Sequence, residues 1–480
     1  MNLVIFKYQL RLFFRNIPLL ISLFVLVAAG SYSAFYGQHF VAQQRVVLNE
    51  VDSLAQNSYK RYEEYRSGLP DSLKKENLVY AGPETITYSP TALTGLAIGQ
   101  KDNYPFYHQI NSFENIYEVT TTTIQNPVKL LSGNFDLSFV IVYLLPLFII
   151  VLGYNVLSEE KEQHTFTLLK VQSNVRRVVR GKLLFRLLLI MVLSVVLNSI
   201  CFFISGIGLD QLMPMLSWIL ITLTYIIFWF SLVYLVISFE LAGSINALIL
   251  GGIWVLLLLV VPTVVNRQVS TSHDHEQVQM MFNRRGDMPR AYELSPEVLR
   301  DSFNRISHIY RLPDTTDTAR MAKIQLHSFM FNLIQKHSDN ALGRKALEST
   351  LGEYEKALRY NIVNPAFAVQ NAYNQLAQSE VNNYVEYMKS VEKFENERSY
   401  WLFRYQTAGF DFDARKDPPP VYTSHSSNKG NAILETMRLV WPVIAISLLL
   451  LSCSFFLLPA STVVDFKNAA VDDRYSKGWR

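Results

Sequence analysis

Six stretches without a single Asp, Glu, Lys or Arg, each long enough to cross a bilayer, limit what this chain can fold into: 16–44, 137–158, 187–209, 211–239, 241–266 and 439–464. A helix needs about 20 mostly apolar residues to span the roughly 30 Å hydrocarbon core. The runs 140–152, 219–230 and 254–261 have no polar face to turn toward water. Because lipid offers no hydrogen-bond partners, such stretches satisfy their backbone internally and read as helices. The expected fold class is an all-α polytopic membrane protein with six transmembrane helices. A mixed extracytoplasmic region follows helix 1, and a larger helical extracytoplasmic domain stands between helices 5 and 6.

Half of the 480 residues are hydrophobic and 18% are charged, so strongly apolar helices are diluted by large polar segments. Both cysteines, Cys201 and Cys453, fall inside apolar stretches and read as small apolar fillers rather than a disulfide framework. Lys7, Arg11 and Arg15 precede the first stretch as a signal peptide's basic region would, but that stretch is long and five more follow. It reads as an uncleaved signal-anchor. Those three basic residues are spaced four apart and share one helical face, with Leu3, Phe6, Leu10, Phe13 and Phe14 supplying apolar surface beside them. A short interfacial helix over 1–15, lying on membrane lipid, and a plain orienting basic flank both fit this pattern.

Charge sets the expected topology. Residues 159–186 carry seven basic side chains (Lys161, Lys170, Arg176, Arg177, Arg180, Lys182, Arg186) against three glutamates, whereas the linker around Asp210 has no Lys or Arg. The positive-inside rule then places both termini, 158–186 and the Glu240 turn in the cytoplasm. The expected order is a cytoplasmic helix at 1–15, spans at 16–37, 137–157, 187–209, 214–238, 243–265 and 437–459, and a cytoplasmic tail at 460–480. The extracytoplasmic parts are 38–136 and 266–432.

The first of these begins as a helix over 41–65 and then turns to extended segments around Gly68-Leu-Pro70, Ala81-Gly-Pro83, Tyr88-Ser-Pro90 and 120–123. The second is helical by periodicity. One helix opens at Ser295-Pro296-Glu297, with Ser as N-cap and Pro in the first turn. Others run over about 316–336, 340–360 and 366–405, and a proline-rich linker at 416–430 leads into the last span.

Several chemistries find no support. His273-Asp274-His275-Glu276 offers zinc-type ligands, but Gln279 stands where a helical zinc-protease pattern needs its second His. The remaining histidines are scattered and pair with no nucleophile. Gly181-Lys182 lacks the glycine five positions earlier that a Walker A loop needs; Arg176 stands there. Metal ligands, catalytic residues and nucleic-acid binding are therefore not expected, and a membrane-bound hydrolase is disfavoured. The six charge-free stretches hold none of the Asp, Glu or His that ion-coupled transporters place at membrane depth, apart from His39 near the outer edge of the first. Any energy for transport has to come from elsewhere.

That turns attention to 158–182. Glu159, Glu160 and Glu162 open a short helix where negative charge suits the positive end of the dipole. Phe166, Leu168 and Leu169 form an apolar tip, and 176–182 return a basic chain to the next span. An amphipathic helix projecting from a membrane bundle suits a groove on a soluble partner. A loop that only sets topology fits the same residues.

The pattern E-E-K-E-x-x-T-x-x-L-L…S-x-x-R-R-x-x-x-G-K resembles the cytoplasmic loop of ABC-2 type transporter permeases. The matching positions are Glu159, Glu160, Thr165, Leu168, Leu169, Arg177, Gly181 and Lys182, with His164 in place of the usual glycine and Ser173 where proline is common. A second set is similar to the permease subgroup with a DUF3526-type extracytoplasmic domain: Asn364-Pro365-Ala366, Leu376-Ala377, Ser379, Tyr384 and the stretch from Phe394. The resemblance implies a non-catalytic permease subunit in the bacterial cytoplasmic membrane. It implies docking of a separate ABC-type ATPase on 159–182, with ATP and Mg held by that partner and no cofactor on this chain. It also implies a pathway formed with a second permease chain, in a homo- or heterodimer. The uncharged spans favour export of lipidic or amphipathic cargo. The alternative is a membrane sensor or scaffold whose extracytoplasmic domains bind a ligand or partner.

Overall fold

The computed structural model describes residues 9–11, 13–68, 84–110, 116–117, 134–162, 175–269, 295, 298, 301–302, 305–306, 323–408, 420–422 and 429–457. Six helical segments in them are long and apolar enough to cross a membrane: Ile17–Arg61, Leu137–Glu162, Val178–Ile204, Leu209–Ser238, Gly243–Val269 and Ile433–Leu457. They are called spans 1 to 6 below. The all-α membrane architecture expected from the charge-free stretches is the one observed.

Span 1 is part of one uninterrupted helix, α1 (Ile17–Ser67). At 1.5 Å per residue its 51 residues reach roughly 75 Å, far more than a bilayer requires, so the helix stands well clear of it. Asn16 opens it: the side-chain oxygen accepts from the Leu19 backbone N–H at 3.3 Å. Residues 9–11 and 13–15 form a separate helical turn before it, with Gln9 and Phe13 buried and Arg11 and Arg15 exposed. Lys7 lies outside the described residues.

Spans 2 and 4 form the middle of the bundle, with 67% and 72% of their most apolar windows buried against 17% for span 5 and 22% for span 1. Span 4 holds α5 (Leu212–Ser238), which packs on spans 2, 3 and 6. Span 3 is the membrane part of α4 (Val175–Ile204) and takes span 1 along its flank. There Gly30 leaves room for the Leu197 side chain of span 3, and its carbonyl accepts from Cys201 Sγ at 3.4 Å. Small residues allow such approach where lipid gives helices no hydrophobic reason to associate.

Spans 2 and 5 each contain a widened π-helical turn. Span 2 runs through Leu137–Phe139, the π turn Val140–Leu144 and α2 (Leu145–Gly153). Span 5 runs through α6 (Gly243–Val255), the π turn Leu256–Val260 and α7 (Val261–Val269). A π turn displaces carbonyls from the regular ladder, and in lipid they need donors. Tyr225 donates to Val142 O at 3.0 Å, Trp254 to Tyr143 O at 3.0 Å, and Asn364 to Leu257 O at 2.7 Å.

The long segments between spans 1 and 2 and between spans 5 and 6 gather at one end of the bundle. α8 (Lys323–Leu358) and α10 (Val381–Ala408) pack side by side there. The periodicity suggests a break between 336 and 340, but α8 continues through it because Asn340 and Lys336 are bound to α10. Asn340 donates to Glu395 at 3.0 Å, and Lys336 Nζ lies 3.0 Å from the same carboxylate. A hairpin of β1 (Glu84–Thr87) and β2 (Tyr107–Ile110), antiparallel, covers α10. Ile86, Ile110, Tyr384, Tyr387, Val391 and Phe394 form a core of their own there. Arg398 joins the sheet to α10 through Glu84 at 2.7 Å. Of the expected helix near 295, the described residues keep the cap: Val298 N–H donates to Ser295 Oγ at 3.4 Å.

Between α8 and α10 the chain enters the bundle. α9 (Pro365–Leu376) opens on Asn364, whose side chain accepts from Ala366 and Phe367 N–H, with Pro365 in the first turn. Its Ala366, Ala368, Val369, Ala372 and Tyr373 belong to the same apolar core as the spans. The Tyr373 ring packs, tilted, against Trp218 with centroids 4.2 Å apart, and its hydroxyl bonds Thr222 at 2.7 Å, both partners on span 4. Its polar residues are answered by the fold around it: Gln370 donates to Ser138 at 2.9 Å and Asn371 to Asn361 at 2.9 Å.

Candidate coupling site

At the end of the bundle opposite these domains, spans 2 and 3 are joined through 158–174, and spans 4 and 5 through the short turn 239–242. Span 2 ends in a one-and-a-half-turn helix, α3 (Ser158–Glu162), with Glu159 and Glu160 in its first turn. Ser158 is buried, and the start of span 5 sits on it: a Cβ added at Gly243 would lie 2.8 Å from Ser158 Oγ. Asn246 then donates to Tyr154 O at 3.2 Å, tying span 5 to the end of span 2.

Charged side chains complete the lattice. Lys161 donates to both the backbone carbonyl and the carboxylate of Glu240, each at 2.9 Å. Glu240 has φ +57°, a left-handed conformation that costs a residue with a Cβ, and this two-point grip from α3 holds it. Glu160 pairs with Lys182 at the start of span 3. About three helical turns into α4, Arg186 donates to Leu152 O and, at 3.4 Å, to Asn155. Arg180 reaches Tyr234 on span 4 at 3.1 Å and lies 4.4 Å over the Phe455 ring of span 6. Through these contacts α3 and the first turns of α4 touch spans 2, 4, 5 and 6.

Of the residues singled out in the sequence, Glu160 and Lys182 are brought together, and Glu159 is exposed beside them. Gly181 is helical, and a Cβ there would meet nothing, so the packing of this chain alone gives no reason for a glycine. Arg177 lies in α4, its side chain outside the described residues. Thr165, Leu168 and Leu169 are also outside them. Lys161, Arg180, Arg186 and Glu240 were not singled out, although the signal was present: Arg186 and Glu240 are the charges that bound apolar stretches. Among the described residues no group of His, Cys, Asp and Glu could hold a metal ion.

Residues 8–447 match the family model described as ABC-2 family transporter protein. The chain belongs to the ABC-2 transporter family. The match takes in five spans and all but the end of the sixth, and with the six apolar helices it makes this a multi-pass membrane protein and a transporter permease. No curated protein and no solved structure matches this ABC-2 chain significantly.

Proposed function

We propose that this chain is the non-catalytic permease subunit of an ATP-driven exporter, with a separate ABC-type ATPase docking on α3, on 163–174 and on the start of α4. The observation that carries the reading is the charged lattice around α3. A partner pressing on this short helix would move Glu160 against span 3 and Lys161 against the strained Glu240 turn, so the push is shared among several spans. Glu159 and the open side of Gly181 are left for the partner. Two permease chains would form the pathway, with both termini in the cytoplasm of a bacterial cell, and ATP and Mg would stay on the ATPase. The charge-free spans favour lipidic or amphipathic cargo. The residues from Asn364 to the stretch at Phe394 support placing the chain in the DUF3526-type subgroup.

The experiment is co-purification from detergent-solubilised membranes followed by measurement of ATPase stimulation. Wild type is expected to bring down an ABC-type ATPase. The Glu159→Lys variant is expected to express normally and lose most of that recovery. Glu160→Lys should uncouple stimulation, and the swapped pair Glu160→Lys with Lys182→Glu should restore it in large part. Full recovery and stimulation in both single variants, or no ATPase with wild type under conditions that keep a known transporter intact, would overturn the reading.

A further inference from the structure

Where α9 passes into α10, beside the start of span 6, a cleft of about 220 Å³ opens between these elements and α8. Its walls include Tyr354 and Glu355 from α8, Gln375 and Glu380 from the junction, and Glu435 and Arg438 from α11 (Lys429–Leu457). Glu380 is 6% exposed, yet its Oε2 has no hydrogen-bond partner among the described residues. Its other oxygen accepts from the Asn383 side chain. Gln375 repeats the pattern. Its amide nitrogen donates to Glu435 at 3.1 Å, and because a carboxylate only accepts, this fixes which way the amide points. That leaves Gln375 Oε1 buried and unpartnered as well.

Two unpartnered acceptors in one cleft, with a second carboxylate nearby, are costly unless something donates to them. Among the described residues no other side chain donates to them. Lys101 is buried behind Glu380, but its ammonium donates to Ser89 O at 3.1 Å and lies 4.2 Å over the Tyr88 ring. Arg438 is exposed at the rim and makes no ion pair among the described residues. We propose that this cleft is a binding site for a primary ammonium group, which donates to Glu380 Oε2, Gln375 Oε1 and the Glu435 carboxylate. A primary ammonium brings three N–H donors to a cleft lined by these three acceptor side chains, whereas a quaternary ammonium has none to give. The group can belong to a free small amine or to the headgroup of an aminophospholipid, since the cleft adjoins the membrane end of span 6. The site goes beyond the transport reading and does not depend on it.

The chemistry adds a signature. Burial pushes the Glu380 carboxyl up to about 8, against the pull of its own N–H, of the Asn383 amide and of Lys101, and Glu435 adds to the rise. Lys101 is itself pushed down to about 7 by burial. Tyr88 and Tyr354, which also face Glu380, are raised by burial and by its charge, so they stay neutral. A bound ammonium favours the ionised carboxylate, so binding near pH 7 expels a proton and tightens as pH rises toward 8. The remaining charged groups around the cleft are Glu355, Glu435 and Arg438.

The test is calorimetric titration of the whole protein, in phosphatidylcholine nanodiscs, with ethanolamine and then with choline. Saturable ethanolamine binding, at least about tenfold tighter than choline and weakened about tenfold or more by Glu380→Gln, supports the site. Glu435→Gln, a change at an exposed position, should weaken it too, which keeps the test open if the Glu380 variant fails to fold. A second arm compares nanodiscs with and without phosphatidylethanolamine. If that lipid competes with ethanolamine, the source is the headgroup; if it does not, the source is a free amine. Absence of saturable ethanolamine binding together with no difference between the lipids, or binding that both variants leave unchanged, overturns the proposal.

Discussion

Removing the lysine from the Lys336–Glu395 pair should open the domain that covers the bundle, and the structure says by how much. Both side chains are nearly sealed from solvent, Lys336 at 3% and Glu395 at 0%, and they meet at 3.0 Å. Ser399 accepts from the same ammonium at 2.9 Å, and Asn340 donates to the carboxylate at 3.0 Å. In Lys336→Met the Asn340 bond survives but the charge on Glu395 is left uncompensated. Breaking one side of a buried pair typically costs about 3–5 kcal/mol. Hydrogen exchange of the α10 amides around 391–399 is the assay. At about 1.4 kcal/mol per decade, protection should fall by a factor on the order of 10² to 10³ or more. Adding Glu395→Gln removes the charge and keeps an acceptor for Asn340, so the double variant should recover most of the loss. Acid should help the single variant. Burial already raises Glu395, and losing Lys336 raises it further, so the folded form binds more protons than the unfolded. Stability of Lys336→Met therefore falls as pH rises above the ordinary carboxyl range and returns as pH is lowered. A single variant that loses less than tenfold protection, or a double variant as damaged as the single, would refute this reasoning.

Two further outcomes are expected. Gly37→Ala should be severe, because the new Cβ would sit 1.6 Å from the Gly95 carbonyl oxygen, and neither backbone can rotate away. A loss of about 3 kcal/mol or more should appear as a collapsed yield of monodisperse protein, while Gly252→Ala, whose Cβ would meet nothing, purifies like wild type. His108 bonds the Tyr387 hydroxyl at 2.9 Å, and burial pushes it down to about 4. The unfolded chain then takes up a proton first, so exchange protection of β2 should fall as pH drops from about 6.5 toward 4, by up to about 3 kcal/mol. His108→Gln should flatten that limb.

The spans were legible because lipid demands unbroken apolar runs, and those runs stand out against a chain with 18% charge. The cap at Ser295 was legible because it is a local rule of three residues. The seating of α9 among the spans was not. Gln370, Asn371, Asn374 and Gln375 make 365–376 read as a surface helix, and only the tertiary fold supplies Ser138 and Asn361 as partners. The π turns were hidden for a related reason. Nothing in 140–144 or 256–260 differs from ordinary span sequence, and the donors that answer their carbonyls lie 83 to 111 positions away. At the candidate coupling site, Glu160 and Lys182 were picked out by pattern, whereas the Lys161 grip on Glu240 depends on a backbone angle that composition does not reveal.

The insertion of α9 also orders the chain's assembly in time. Trp218 and Thr222 are synthesised about 150 residues before Tyr373, their partner, and span 6 follows later still. Until then the middle of the bundle lacks one wall, and the carbonyl at Leu257 lacks the donor that Asn364 provides. Such long-range closure is slow, and half-built states of this kind expose surface to the wrong neighbours. Everything from 270 to 364 has to be synthesised before α9 can be delivered to its seat. The bundle is thus finished late, by a part of the protein that is not itself a span.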